Sequence, residues 1–278
     1  MNLKKITVIL IAIAFGVVVL CSTFFLLTIK KVDVNYAVAE NRNNTDQVQT
    51  TLDNLLGKSM LFFNEQDVEL TINNYPYLEV VSVTKKYPNV LSVEIKERKE
   101  VYRIKDGDKT YVLNEEGIVL NDTGELLHGT KIIDLSFISF RNNPEFVSKI
   151  TIESANVGKK IQTSNDTVVF NTLDIAKKVG LSDCINKIYV EDCTGGEYDV
   201  SFETHTGAKI YVVDVMNGGE RKGLTAFRIY DTIANDYQKR FGLLESSYIE
   251  NQLRVQHTYD DIDDIEDRND ELLYSEDI

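Results

Sequence analysis

Ile6 to Ile29 is an uninterrupted run of 24 residues without a charge, bounded by Lys4 and Lys5 before it and Lys30 and Lys31 after it. A bilayer span requires roughly 20 apolar residues, and this run meets that length. A cleaved export signal has a shorter apolar core, roughly 7–15 residues, with a small-x-small exit. Here the run leaves through Leu26-Leu27-Thr28-Ile29-Lys30. A lipoprotein signal ending at Cys21 would want a small residue before the cysteine, and Leu20 stands there. The reading is a retained single span, residues 6–29, after a short N-terminus, residues 1–5. Two lysines on each side leave the positive-inside comparison tied, so charge alone does not orient the chain.

The rest of the 278 residues reads as globular: the chain is 43% apolar and 9% aromatic, well above the composition of disordered chains. The formal charge is −14. Asp260 to Ile278 holds ten acidic residues and one basic, so −9 of that charge sits in the tail and −5 on everything else. This balance argues against nucleic-acid binding, whose footprint is a basic patch. The tail, 260–278, is expected to be solvated, self-repelling and disordered. It lacks the Gly and the ligand spacing of a calcium-binding loop.

No chemistry-bearing motif stands out. Three cysteines exclude a disulfide scaffold and a four-cysteine metal site. Cys184 and Cys193 would lie at opposite ends of one strand, roughly 30 Å apart, so free or intermolecular thiols are expected. His128, His205 and His257 are scattered, and phosphate-loop, dinucleotide and zinc-helix motifs are absent. Ser82-Val83-Thr84-Lys85 spells Ser-x-x-Lys, but within a strand Ser82 and Lys85 face opposite ways. No catalytic, metal-binding or cofactor-binding residue is expected, and no cofactor, small-molecule substrate or enzymatic activity.

Local patterning is clearest just after the span. Val32-Asp33-Val34-Asn35-Tyr36 alternates like a half-buried strand. Val48, Leu52, Leu55 and Leu56 fall on one helical face between an Asn44 or Thr45 cap and Gly57. Val68, Ile72 and Tyr75 mark a second helix, which Pro76 ends. Val81, Val83, Lys85 and Tyr87 then share one strand face, Tyr87-Pro88-Asn89-Val90 turns with Pro at its second position, and Leu91, Val93 and Ile95 share the returning face. The order is β-α-α-β-β. The core is expected from Val81, Val83, Leu91, Val93 and Ile95 beneath Val48, Leu52, Val68 and Ile72.

These residues resemble the polypeptide-transport-associated (POTRA) domain of the bacterial FtsQ/DivIB family. The resemblance rests on Gly57-Lys58-Ser59-Met60-Leu61-Phe62, on Pro76 through Val83, and on Pro88 through the closing Glu97-Arg98. Pro76, Val83, Pro88, Glu97 and Arg98 carry it as structural positions. Lys86 stands where the family commonly has Arg, and Tyr36 to Asn41 lacks the usual Gly. Glu97-Arg98 is expected to order the junction with the following domain.

Downstream, strand patterns occur at Val101–Ile104, Thr110–Leu113, Ile118–Leu120, Ile185–Glu191, Tyr198–Glu203 and Lys209–Val215. A helix is expected over Asp166–Val179, and another through Ala226, Tyr230, Ile233, Ala234 and Tyr237. This order resembles the family's second, β domain. The fold class is α+β: one transmembrane helix, a POTRA domain at 30–98, a mixed α/β "β domain" at 99–259 with a C-terminal strand, then the acidic tail.

The resemblance implies a non-enzymatic divisome scaffold, membrane-anchored with its bulk outside the cytoplasm and enriched at the septum. Its implied partners are small coiled-coil division proteins of the FtsL and FtsB/DivIC type. Two other readings stay open: an envelope or translocation protein outside division, and an anchored sensor or enzyme. Tyr248 to His257 reads as one alternating strand at a sheet edge. Ile249, Leu253 and Val255 would face inward, and Glu250, Gln252, Arg254 and Gln256 outward. The expected partner-binding residues are Tyr248, Glu250, Gln252, Leu253, Arg254 and Gln256, because an open edge accepts an added strand.

Overall fold

A computed structural model describes residues 3–37, 45–126, 131–139, 148–180, 184–193, 195–234, 242–260 and 268–277. The chain divides into two compact units, Met1–Arg98 and Lys99–Ile278.

The first unit opens with helix α1 (Leu3–Leu26). Among the described residues no helix is long and apolar enough to cross a membrane, so the 6–29 span stays a reading of the sequence. There follow β1 (Lys31–Tyr36), α2 (Thr45–Leu52) with a 3-10 turn at Asp53–Leu55, α3 (Gln66–Ile72), β2 (Leu78–Lys86) and β3 (Val90–Glu97). The sheet order is β1-β3-β2. β3 runs parallel to β1 and antiparallel to β2. As the central strand, β3 carries the core: Leu91, Val93 and Ile95 are fully buried in one cluster with Val48, Leu52, Val68 and Ile72. Each such side chain stabilises the unit by about 1.5–3 kcal/mol relative to leaving it exposed.

β2 departs from its expected face. Val81 is exposed, while Leu78, Val80 and Val83 pack on the cluster. A bulge between Val80 and Ser82 inserts one residue, and a one-residue shift sends every later side chain to the opposite face. Tyr87, Pro88 and Asn89 link the two strands, with a cis Tyr87–Pro88 peptide. Ser82 donates its hydroxyl to Glu94 (3.1 Å), while Lys85 Nζ reaches the Phe63 carbonyl (2.9 Å), so the two share no site. Arg98 makes contacts within its own unit. Its guanidinium donates to the carbonyls of Pro76 and Leu78 and lies 3.8 Å from Glu79. These partners all belong to the first unit, so Arg98 fastens the end of β3 to the start of β2. Glu97 sits opposite Leu78 in the same ladder.

The second unit contains β4 (Tyr102–Asp106), β5 (Lys109–Leu113), β6 (Val119–Asn121), β7 (Ile133–Ser139), β8 (Ile152–Ser154), β9 (Gln162–Thr163) and α4 (Asp166–Val179). Next come β10 (Ile185–Asp192), β11 (Tyr198–Thr204), β12 (Lys209–Val212), α5 (Gly219–Ile233), β13 (Leu243–Ile249), β14 (Gln252–Asp260) and β15 (Arg268–Asp277). Ten strands form one sheet, in the order β15-β14-β13-β12-β11-β10-β7-β4-β5-β6. β7 to β10 and β12 to β13 are parallel pairs, so each needs a crossover, and α4 and α5 provide them. Both crossovers step the same way from strands of the same direction. Right-handedness therefore places both helices on one face of the sheet.

There Val169, Leu173 and Ala176 of α4 and Ala226, Phe227 and Tyr230 of α5 join the strands in one core. The helices approach closely at Gly223, where a Cβ would sit 2.8 Å from Ile175 Cγ2. Asn165 caps α4 by accepting from the Val168 N–H, and Gly180 ends it in the left-handed region. Tyr237, expected on the second helix, lies outside the described residues. Cys184 and Cys193 flank β10 and no disulfide joins them. Burial pushes the Cys193 thiol up to about 12.

Candidate partner-docking edge

The C-terminal strands differ from the single edge strand expected. Glu250 and Asn251 both have positive φ, 52° and 62°, and form the two-residue turn of a hairpin between β13 and β14. Residues directly opposite in a ladder share a face. Ile249 pairs with Gln252 and Tyr248 with Leu253, so Tyr248 joins Leu253 on one face and Ile249 joins Gln252 on the other. This reverses the placement of Ile249, which is exposed rather than packed.

Leu253, Val255 and His257 are fully buried. Tyr248 lies under α5, with Lys222 Nζ 4.9 Å from its ring centroid. Leu253 therefore offers no side chain to a partner, while Tyr248 is half-buried. Lys222 is itself buried and donates to the carbonyls of Val213 and Asp214. Burial pushes its ammonium down to about 8, against the opposing pull of Asp214 and Asp199.

A second correction concerns the tail. Residues 261–267 lie outside the described residues, but 268–277 are strand β15. It pairs antiparallel along the whole of β14, from Gln252↔Asp277 to Asp260↔Arg268, with a bulge at Val255/Gln256. Ten acidic residues gave the expectation of self-repulsion, yet Leu273 and Tyr274 pack against the core cluster. Gln252 Nε2 to Asp277 Oδ1 (2.8 Å), Ser275 Oγ to Gln252 Oε1 (3.4 Å) and Arg221 of α5 to Glu276 Oε2 (2.7 Å) fasten the strand to its neighbours, and within it Tyr274 OH donates to Glu276 Oε2 (2.7 Å). Hydrogen bonds from Tyr274 and Arg221 hold the Glu276 carboxyl below its ordinary range. Apolar contact and these pairings outweigh repulsion between carboxylates that water and salt screen.

The outer edge of the sheet is therefore β15 and not β14, whose ladder groups are engaged on both sides. Glu250 is at the turn, and Gln252, Arg254 and Gln256 lie within the ladder next to the edge. Arg254 bonds Gln252 Oε1 at 3.1 Å and lies 3.7 Å from Glu250. Among the described residues nothing pairs with the outer side of β15. No group of three or more His, Cys, Asp or Glu among them is placed to hold a metal ion. The one sequence signal for β15 was the Leu272-Leu273-Tyr274 triplet inside an acidic run.

Residues 27–98 match the family model described as the POTRA domain, FtsQ-type. The segment 27–98 is thus similar to the POTRA domain of FtsQ type. The cell division protein DivIB of Clostridium botulinum strain Hall is 24% identical over 213 residues, covering 73% of this chain and 80% of the relative. Its counterpart in strain Loch Maree is 23% identical over the same length. The solved extracytoplasmic domain of the trans isomer of DivIB from Geobacillus stearothermophilus is 12% identical. It covers 50% of this chain and 92% of that domain, with a TM-score of 0.29, too low to bear on the fold. These relatives are cell division proteins, which supports a division-related role.

Proposed function

We propose that this protein is a member of the FtsQ/DivIB family and a non-enzymatic divisome scaffold. It is anchored in the cell membrane by residues 6–29, carries its two units outside the cytoplasm, gathers at the septum and helps couple septum assembly to peptidoglycan synthesis. Its partners are small bitopic division proteins of the FtsL and FtsB/DivIC type, and one of them docks by adding a strand to β15. The observation that carries this reading is a ten-residue edge strand with no neighbour on its outer side among the described residues. Such an edge presents N–H and C=O groups that an extended chain can pair with. Asp270, Glu271, Glu276 and Asp277 lie along it, so the incoming strand should be basic.

The test is a pair of adjacent proline variants, Glu271→Pro and Leu272→Pro, in the full chain. Successive backbone N–H groups of a strand point to opposite sides. One proline therefore breaks the ladder to β14, and the other removes only an outward donor. The outward variant should keep the melting temperature and lose co-purification of the partner. Both variants retaining the partner in full would exclude docking at this edge.

A further inference from the structure

Two loops are fastened to the chain where α1 hands over to β1. The N–H of Ile29 donates to Lys58 O (2.8 Å), Gly57 N–H to Ile29 O (2.9 Å) and Met60 N–H to Leu27 O (2.7 Å). Thr28 and Ser59 form an antiparallel bridge. On the other side Lys30 N–H donates to Asn89 O (2.8 Å), and Lys85 Nζ to Phe63 O ties the end of β2 to the first loop. Met60 and Phe63 point into the core and hold the first loop in place.

The remaining large side chains of these loops face out. Leu56 is 43% exposed, Leu61 49%, Phe62 77% and Tyr87 59%. Single exposed apolar residues are ordinary, but four at one end of a small domain mark a contact surface. Lysines flank them: Lys30, Lys31 and Lys86 line an open groove of about 470 Å³ together with Leu56, and Lys58 lies between Leu56 and Leu61 in sequence. Lys31 and Lys58 also hold Asp33 (2.6 Å) and Asp67 (3.5 Å), so net charge is a minor attraction. Aromatic rings and long-stemmed lysines around an apolar tip are the composition of a membrane interface, where stems lie on apolar surface and ammonium groups reach water.

We propose that this end of the first unit seats on the bilayer in which the proposed function anchors residues 6–29, with Leu61 and Phe62 entering the boundary between headgroups and acyl chains. The inference rests on the membrane anchor of the proposed function. Placement supports it: Phe62 lies two residues, ~7 Å of chain at most, beyond Met60. Met60 is bonded to Leu27, the first residue after α1. A seated unit has its orientation at the membrane fixed, which a unit swinging on a tether does not.

The chain contains no tryptophan, so one introduced indole reports its own surroundings. Full-length Phe62→Trp, Leu61→Trp and, within α1, Phe15→Trp would each be reconstituted into phosphatidylethanolamine–phosphatidylglycerol vesicles with brominated acyl chains. Phe62→Trp or Leu61→Trp should emit blue-shifted light and be quenched several-fold relative to unbrominated lipid. Phe15→Trp should be quenched as well. Quenching of Phe15→Trp with water-like, unquenched emission from both loop reporters would overturn the seating and leave the anchor standing. An unquenched Phe15→Trp would overturn the anchor and the seating with it.

Discussion

The two ends of the ten-stranded sheet solve one problem in opposite ways. At one end β6 is three residues long, and the segment 158–161 straps it. Val119 N–H donates to Lys159 O (2.9 Å), Gly158 N–H to Val119 O (2.8 Å) and Ile161 N–H to Gly117 O (2.9 Å). At the other end β15 runs for ten residues, with β14 beside it on one side only among the described residues. Unpaired edges invite uncontrolled pairing, and proteins blunt them by shortening, covering or charging them. Covering removes the capacity to pair. Charging leaves that capacity in place and restricts it to strands of opposite sign. An edge protected only by Asp and Glu is one the molecule can still use.

The largest expected effect comes from removing the open edge. Truncation after Asp260 uncovers β14 and strips the partly buried Leu273 and Tyr274 from the core, where full burial contributes about 1.5–3 kcal/mol per side chain. The urea midpoint of the second unit should fall by the equivalent of about 3 kcal/mol. An unchanged midpoint would mean that β15 contributes nothing to the folded sheet, and the contrast between the two ends would vanish. At the strapped end Gly117 has φ +79°, and a Cβ there would lie 2.9 Å from Phe170 Cε1. Gly117→Ala should cost about 1–3 kcal/mol, as a left-handed non-glycine residue does. Partner capture should be untouched, because this end does not dock.

How much was legible follows the same divide. In the first unit, period 2 in β3 and period 3.6 in α2 and α3 converge on one core, so Leu91, Val93, Ile95, Val48 and Ile72 could be placed from sequence. Val81 could not, because a bulge reverses face parity without changing composition. In the second unit the range of α4 followed from its apolar face and Gly180. The start of α5 was hidden because Gly218, Gly219 and Gly223 are poor helix residues whose reason is close packing. At the C-terminus the alternation of Leu253 and Val255 was correct, yet Glu250-Asn251 lacks the glycine that commonly announces a hairpin. β15 was hidden by its charge. Its strand character depends on β14 and α5 being there to receive Leu273 and Glu276, and no local pattern encodes that.

Lys222 sharpens the comparison from beneath the sheet, because it joins α5 to the end of β12. Its folded pKa is about 8, below the ordinary lysine value of about 10.4. Between those values the unfolded chain binds a proton that the folded chain does not, so stability rises with pH across that window. Below about pH 8 both states are protonated and the penalty of burying the charge is fully felt. The melting temperature should therefore climb from about pH 8 to about pH 10 more steeply in the parent than in Lys222→Met. Parallel curves for the two proteins would show that Lys222 does not titrate in this range.

The smallest effect, and the most local, belongs to Arg221. Its guanidinium reaches Glu276 at 2.7 Å from α5, and both side chains are roughly half exposed. Exposed ion pairs contribute little to global stability, so Arg221→Ala should leave the denaturation midpoint in place. The expected change is at the edge itself. With its clamp gone, β15 should open more often, and amide exchange should quicken from Tyr274 to Asp277 but not in β6. Glu276, held low by Tyr274 and Arg221, should titrate higher in the variant. The sign follows from linkage: a carboxylate whose pKa is lowered by folding stabilises above its unfolded value, and that contribution is lost as pH falls through its folded value. Acidification should therefore lower the protection of the β15 amides, taken relative to their intrinsic exchange rates, more in the parent than in Arg221→Ala. Equal exchange in both proteins at every pH would show that α5 does not hold the edge, and that the strand pairing with β14 holds it unaided.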